Sequence, residues 1–418
     1  HARSGCHSYL SSQEGANLLR LRMNQDADFT FLAFGEHLSI GGVSISFHPA
    51  GHILGSASIE IEIETGDDDE RIMRLLFSGD IGPDHKLFHP DPEGPSNLDY
   101  VICEATYGAR KRPVLKPDAR RKVLADIVRK AMGRGGVLVI PAFSVERTQE
   151  LLSDLSLLMT KGEIEERLVF LDSPLAIKAT EAFKRHADEL EDTGEDGEIF
   201  ANPSFHFTRT VEESKAINNY ENGVIILAAS GMCEAGRIRH HLKRRLWDEK
   251  NTVLLTGYQA PGTLGSILEN GAKTVRIQGE DIRVKAHLQS IDIYSGHVDA
   301  DGVMDWMTAR KPVTRAVFLT HGQAEGLNAL HDRLIEAGFE KDRIIIPHLD
   351  DEVDLLGEGR IGKRMGPRRL GHEAVVDLDW HNDLAELSLD IREALEEAAD
   401  ERARKVILRR LRRALEER

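Results

Sequence analysis

Residues 47–57 read FHPAGHILGSA: a strand-like run closes at Phe47, and Pro49-Ala50-Gly51 delivers His52 just past its end. The strand reading comes from Val43-Ser44-Ile45-Ser46-Phe47, where the residues alternate as they do on a half-buried strand. The same design recurs four times along the chain. Phe77-Ser78-Gly79-Asp80 follows Leu75-Leu76, and Glu104 follows Val101-Ile102-Cys103. Ser295-Gly296-His297 follows Ile291-Asp292-Ile293, and Thr320-His321-Gly322 follows Val317-Phe318-Leu319. In three of the five places a glycine stands immediately before the polar residue, where a missing side chain permits a sharp turn and close backbone approach. Polar residues just past strand ends are what an active site at a sheet edge requires. A lone histidine after a strand is more often a hydrogen-bonded loop residue, and Asp80 by itself reads as a turn residue. Five together, all of types suited to metal binding or proton transfer, mark a site. His48, His85, His89, His240, His241 and His287 keep the loop reading.

Outward from these points, Ser58 to Glu64 and Arg74 to Phe77 read as strands separated by an acidic turn at 66–70, and Tyr100 to Cys103 as another. A helix could start at Ser12-Gln13-Glu14 and run through Leu21. After Lys116-Pro117 the texture becomes α/β. Asp118 to Met132 is helical, closed by Gly133, Gly135 and Gly136, and Ser144 is placed to cap a helix running to Met159. Val137 to Ile140, Leu168 to Leu171, Val224 to Leu227 and Val253 to Leu255 are short β-rich runs. Strands alternating with helices imply a largely parallel sheet. Ala316 to Leu319 is another buried strand. Residues 357–371 are rich in Gly and Arg and read as a linker. Beyond it, Leu384, Leu387, Ile391, Leu395 and Ala398 fall at helical spacing, and a second helix from about Glu401 to Glu416 carries Arg402, Arg404, Lys405, Arg409, Arg410, Arg412 and Arg413. This reads as a helical hairpin packed on the body, with dimerisation or RNA contact as the alternatives to simple packing.

A length of 418 residues suits two to three domains. No apolar run approaches the ~18 residues that a membrane span needs. Cys6, Cys103 and Cys233 are far apart, so neither a disulfide framework nor a cysteine zinc site is expected, and a reducing cytosol fits. The first residue is His1 rather than Met, which implies a processed terminus or a fragment. A net charge of -16 argues against a nucleic-acid partner on charge alone, yet a local basic groove is compatible with an acidic protein. Within the main body the densest basic stretch is RIRHHLKRR at 237–245, which reads equally well as a solvated helix face.

The motifs themselves resemble those of the β-CASP branch of the metallo-β-lactamase superfamily. PAGHILGSA at 49–57 and FSGDIG at 77–82 are similar to the third and fourth motifs of the metallo-β-lactamase fold. CEATYG at 103–108, YSGHVD at 294–299 and LTHGQ at 319–323 resemble motifs A, B and C of the β-CASP family. PAFSVERTQELL at 141–152, LDSPLA at 171–176, AASGMCEAGRIRHHLK at 228–243 and GYQAPGTLG at 257–265 resemble its inserted domain. Residues 379–383, DWHND, look like a bacterial member. The resemblance, over about residues 33–349, implies an αββα sandwich with an inserted α/β domain and a C-terminal helical extension. It divides the chain into residues 1–108 and 285–350 for the metallo-β-lactamase domain, 109–284 for the β-CASP domain and 351–418 for the linker and helical tail. It implies a cytoplasmic, zinc-dependent ribonuclease with RNA as partner, no membrane association and a homodimer as one assembly.

Carried over by residue, the resemblance makes His52 a ligand of a first zinc, Asp80 a bridge between two zincs and His321 a ligand of the second. His297 is then the proton donor to the leaving oxygen, and Glu104 orients its imidazole. The Ser230-Gly231 loop would offer backbone N–H groups to phosphate. One departure stands out. The fold's second motif, HxHxDH, supplies four ligands upstream of His52, and it occurs nowhere in these 418 residues. Three of seven expected ligands remain. The chain by itself is therefore expected to bind zinc weakly and to be catalytically inactive; a non-catalytic RNA-binding or scaffold member is the rival reading. A small-molecule hydrolase is disfavoured by the long α/β insertion between Glu104 and His297.

Overall fold

The computed structural model describes residues 8–22, 28–65, 72–113, 115–187, 190, 197–349, 351–355, 362–364, 391, 394–395, 398 and 400–416. The acidic turn at 66–70, the greater part of the linker at 357–371 and the DWHND stretch lie outside them, as does most of the first tail helix.

Two large sheets organise the chain. The first has seven strands, in the order Ile344–Ile345, Val313–Thr320, Leu98–Glu104, Ile72–Phe77, Ala57–Glu64, Val43–Pro49, His37–Ile40. The strands from Ile72–Phe77 to Ile344–Ile345 pair in parallel, and the rest form an antiparallel meander. The second sheet has six parallel strands, in the order Phe205–Phe207, Val169–Leu171, Ile225–Ala228, Leu138–Pro141, Thr252–Leu255, His287–Ser290. Its central strands are apolar throughout because helices cover both faces. Pro117–Gly133, Arg147–Thr160 and Pro174–Arg185 bury Leu124, Leu151, Leu155 and Phe183 on one side. Ile238–Arg245 and Leu264–Glu269 bury Ile238, Leu242 and Leu268 on the other.

One face of the first sheet packs Val101, Val317 and Leu319 against helices Ala300–Thr308 and Ala324–Glu336. The opposite face gathers a smaller cluster around Met73, Leu75, Tyr100 and Phe318, with Ile61 and Ile63 only partly buried. Of the two sheets that an αββα sandwich stacks, the described residues form this one.

Most strands and helices lie where the alternation and spacing put them; three details differ. The helix expected to be capped by Ser144 begins at Arg147, and Glu146 occupies the cap position at φ 75 without a side-chain cap bond. Ser144 instead sits 3.4 Å from Ser173 Oγ. The strand before His297 is His287–Ser290, not Ile291 to Ile293; only the Ile291 N–H extends the ladder, to Leu255 O. That strand pairs with Thr252–Leu255, so the inserted sheet runs past the boundary at 284.

Candidate active site

The strand register assembles the site. Phe77 pairs with Ile102 and Thr320 with Glu104, so three parallel strands end side by side. Pro49 pairs with Ala57 at the same end of the meander. Past these ends lie His52, Asp80, Glu104 and His321. Gly79 turns the chain at φ 59 beside Ala57 O, where a Cβ would stand 2.9 Å away. His297 arrives from the second sheet: its loop is pinned to the first by the Val298 N–H donating to Ile81 O at 2.7 Å. The site therefore straddles the two sheets.

All five residues converge. His52 Nε2 lies 3.8 Å from Asp80 Oδ2, and His321 Nδ1 lies 3.4 Å from Asp80 Oδ1. His297 Nδ1 stands 3.1 Å from both oxygens of Glu104. The His52 and His297 rings are 4.4 Å apart between centroids. One potential ligand atom from each of Asp80, Glu104, His297 and His321 lies within 4.8 Å of the others.

The protonation states follow from the contacts. His52 Nδ1 is 2.8 Å from Gly296 O, a carbonyl that can only accept, so Nδ1 carries the proton and Nε2 keeps its lone pair toward Asp80. Burial, then the neighbouring His297, lowers the His52 pKa to about 3, which keeps the ring neutral as a metal ligand requires. Glu104 is 2% exposed and receives the Ile81 N–H, the Thr106 hydroxyl and His297. Burial raises its pKa, but the attraction of His297 and the hydrogen bonds outweigh that and hold it at about 2. An ionised Glu104 only accepts, so His297 Nδ1 bears a proton and Nε2 is the atom left to exchange one. Neutral His52, the Asp80 carboxylate and His321 form an N/O donor set of the type zinc takes.

Four further residues support the site. Thr106 Oγ1 joins Glu104 to His321, at 3.1 Å from His321 Nδ1. Arg112 donates to the His297 carbonyl, and its backbone N–H donates to Asp299 Oδ2 at 2.9 Å. Lys86 donates to the His52 carbonyl and lies 3.4 Å from Glu146 Oε1. Glu146 Oε2 accepts from the Leu54 N–H at 3.1 Å, and its Oε1 is 2.9 Å from His89 Nε2. Thus the His52 loop is tied to the helix Arg147–Thr160 of the second sheet through a buried charge cluster. Thr106 belongs to the motif CEATYG and Glu146 to the stretch PAFSVERTQELL, while nothing in the sequence distinguishes Lys86 or Arg112 from surface charges.

Two expected binding elements are built otherwise. The Ser230 N–H donates to Ala235 O, so that backbone group is not available to a phosphate, and Ser230 Oγ accepts from the N–H groups of Glu234 and Ala235. Gly231 is buried, with its carbonyl taken by Gln259 Nε2 at 3.2 Å. In the 237–245 stretch, Arg237 donates to the buried Asp172 and Arg245 to Ile217 O, while Lys243 pairs with Glu280. Those cations stabilise the fold rather than line a groove.

The Beta-Casp domain model matches residues 148–268, and the model of the Zn-dependent metallo-hydrolase RNA specificity domain matches residues 281–347. The chain belongs to the β-CASP family of metallo-β-lactamase-fold RNA nucleases. It is similar to Ribonuclease TTHA0252 of Thermus thermophilus, 34% identical over 74% of this chain and 69% of that protein. Transcription termination factor FttA of Methanosarcina mazei is 33% identical over 67% of this chain and 45% of its own length. An RNase J-like protein of Methanocaldococcus jannaschii is 30% identical over 67% and 64%. The chain thus spans about half the length of the FttA relative. Among the described residues no helix is long and apolar enough to cross a membrane.

Proposed function

We propose that this protein is a ribonuclease that hydrolyses internal phosphodiester bonds of RNA with zinc at the site of His52, Asp80 and His321. The observation that carries the reading is the convergence of these three with the Glu104–His297 pair between two sheets. His52 and His321 would hold one ion each, and Asp80 between them is placed to share its carboxylate. When bound, the metal supplies Lewis acidity, acidifying water and neutralising charge on the phosphate. The protein supplies the proton: Glu104 fixes the His297 tautomer, and Nε2 delivers a proton to the leaving oxygen. Arg112 holds the His297 backbone, and Lys86 holds that of His52.

Zinc needs about three protein donors in a catalytic site. With HxHxDH absent from these 418 residues, three donors shared by two ions leave the chain by itself a weak zinc binder without cleavage activity. The rival reading is a non-catalytic RNA-binding member. The intact Glu104–His297 pair supports catalysis, since RNA binding alone makes no use of it.

The test compares the 418-residue chain with the same chain preceded by a segment that carries HxHxDH. Both are supplied with zinc and an internally labelled single-stranded RNA. Internal cleavage is expected only from the second, and cleavage by neither would refute the reading.

A further inference from the structure

We propose that the helix Glu401–Glu416 is a second, sequence-independent RNA-binding surface that holds the substrate strand by its phosphates outside the cleft. The inference rests on the reading of RNA as substrate and adds a site to it. The helix carries seven basic and two acidic residues on a chain whose net charge is -16, so it reverses the local field. Arg402, Arg404, Lys405, Arg409, Arg410, Arg412 and Arg413 are all exposed. At 3.6 residues per turn, all of them except Arg404 fall within an arc of about 160°. From Arg402 to Arg413 this face runs about 16 Å along the axis. Arg404 lies off the arc and turns back to Leu395 O at 2.9 Å.

The opposite side shows which partner fits. Ala403, Ile407 and Leu411 are half-buried there, which orients the helix with its basic arc outward. That side carries Ile407 and Leu411 but no Trp or Phe, so a lipid surface is the competing partner that the vesicle measurement below decides. A polyanion with regularly spaced charges suits a row of exposed guanidinium and ammonium groups, and RNA is the polyanion this chain is proposed to act on. In residues 237–245 two of the basic groups, Arg237 and Arg245, are drawn inward onto the buried Asp172 and Ile217 O, whereas here all seven are exposed, with Lys405 also 3.3 Å from Glu401 one turn away.

The test uses the full chain in EDTA, so that cleavage plays no part. Arg402, Lys405, Arg409, Arg412 and Arg413 are replaced together by Gln, which retains helix propensity, and circular dichroism checks the helix. Binding of a fluorescein-labelled single-stranded RNA of about 20 nucleotides is followed by anisotropy across KCl concentrations. Each lost phosphate contact lowers the slope of log K against log salt by about 0.7, so the five replacements should lower it by about 3 and weaken low-salt binding more than tenfold. Replacing the four arginines by Lys instead should leave both at the wild-type level. Equal affinity and slope in the Gln variant would overturn the inference while leaving the cleft reading standing; failure of the wild-type chain to bind RNA would overturn both. Loss of binding to phosphatidylserine vesicles with RNA binding unchanged would make the helix a membrane-surface element and overturn it as well.

Discussion

Replacing Glu146 with Gln should destabilise the protein far more than a one-atom change suggests. Glu146 is 3% exposed, and its carboxylate serves Lys86, His89 and the Leu54 N–H at once. The amide introduced by Glu146→Gln would still accept from Leu54 but would leave the Lys86 ammonium, itself 3% exposed, with only Glu150, which Arg120 also holds, as counter-charge. Removing one member of a buried ion pair costs about 3–5 kcal/mol. The lower end applies here, because Lys86 keeps the His52 carbonyl as an acceptor. At about 2–4 °C per kcal/mol, a loss of about 3 kcal/mol lowers Tm by roughly 6–12 °C. Lys86→Met combined with Glu146→Gln removes the stranded charge, so the double variant should recover about 2 kcal/mol relative to the sum of the singles. Urea unfolding of the four proteins measures this cycle. An E146Q loss below about 1 kcal/mol, or strict additivity, would refute the claim that this pair ties the His52 loop to the second sheet.

Gly296→Ala places a Cβ 2.8 Å from His52 Cε1 and 3.0 Å from its Nδ1, so the imidazole must move and lose its bond to Gly296 O. A stability loss of about 1–3 kcal/mol is expected, with at least tenfold weaker zinc binding by titration; unchanged zinc binding would show that His52 is not a ligand. Asp172 is held at about 2: burial raises its pKa, but the His241 hydrogen bond, the His241 charge and the bonds from Thr208 and Ser214 lower it further. A depressed carboxylate stabilises the fold above its unfolded pKa, near 3.8, and that contribution is lost as pH falls toward 2. Asp172→Asn should therefore remove on the order of 2 kcal/mol of acid sensitivity in that window, read from unfolding at about pH 5 and pH 2.5; parallel pH curves for the two proteins would contradict it.

Four of the five strand ends are legible, because alternation at 43–47 and apolar runs at 75–76, 101–103 and 317–319 stop at a polar residue. The fifth is not, since the apolar run 291–293 before His297 is loop and the strand ends at Ser290. The two glycines nearest His52 and Asp80 are legible for the same reason, with Gly51 at φ 66 and Gly79 at φ 59. Gly296 serves differently, by making room for the His52 ring. The pairing of Lys86 with Glu146 is not legible: the motif at 141–152 marks Glu146, but no local pattern links it to a lysine about 60 residues away. The 237–245 stretch misleads the other way, since its apparent groove is neutralised by Asp172 and backbone carbonyls that no local pattern reveals. Ser144 reads as a cap, yet Glu146 takes up the left-handed backbone from which the helix starts.

The proton-donor assignment of His297 is the central claim, and it separates most cleanly from metal binding by one measurement. In the chain completed with an HxHxDH segment, zinc content and single-turnover RNA cleavage are measured for wild type and His297→Ala side by side. Nδ1 is committed to Glu104 and Nε2 to the leaving oxygen, so the variant should keep its zinc and lose about 10²–10⁴-fold in rate. Loss of zinc in proportion to activity would make His297 a ligand and contradict the account.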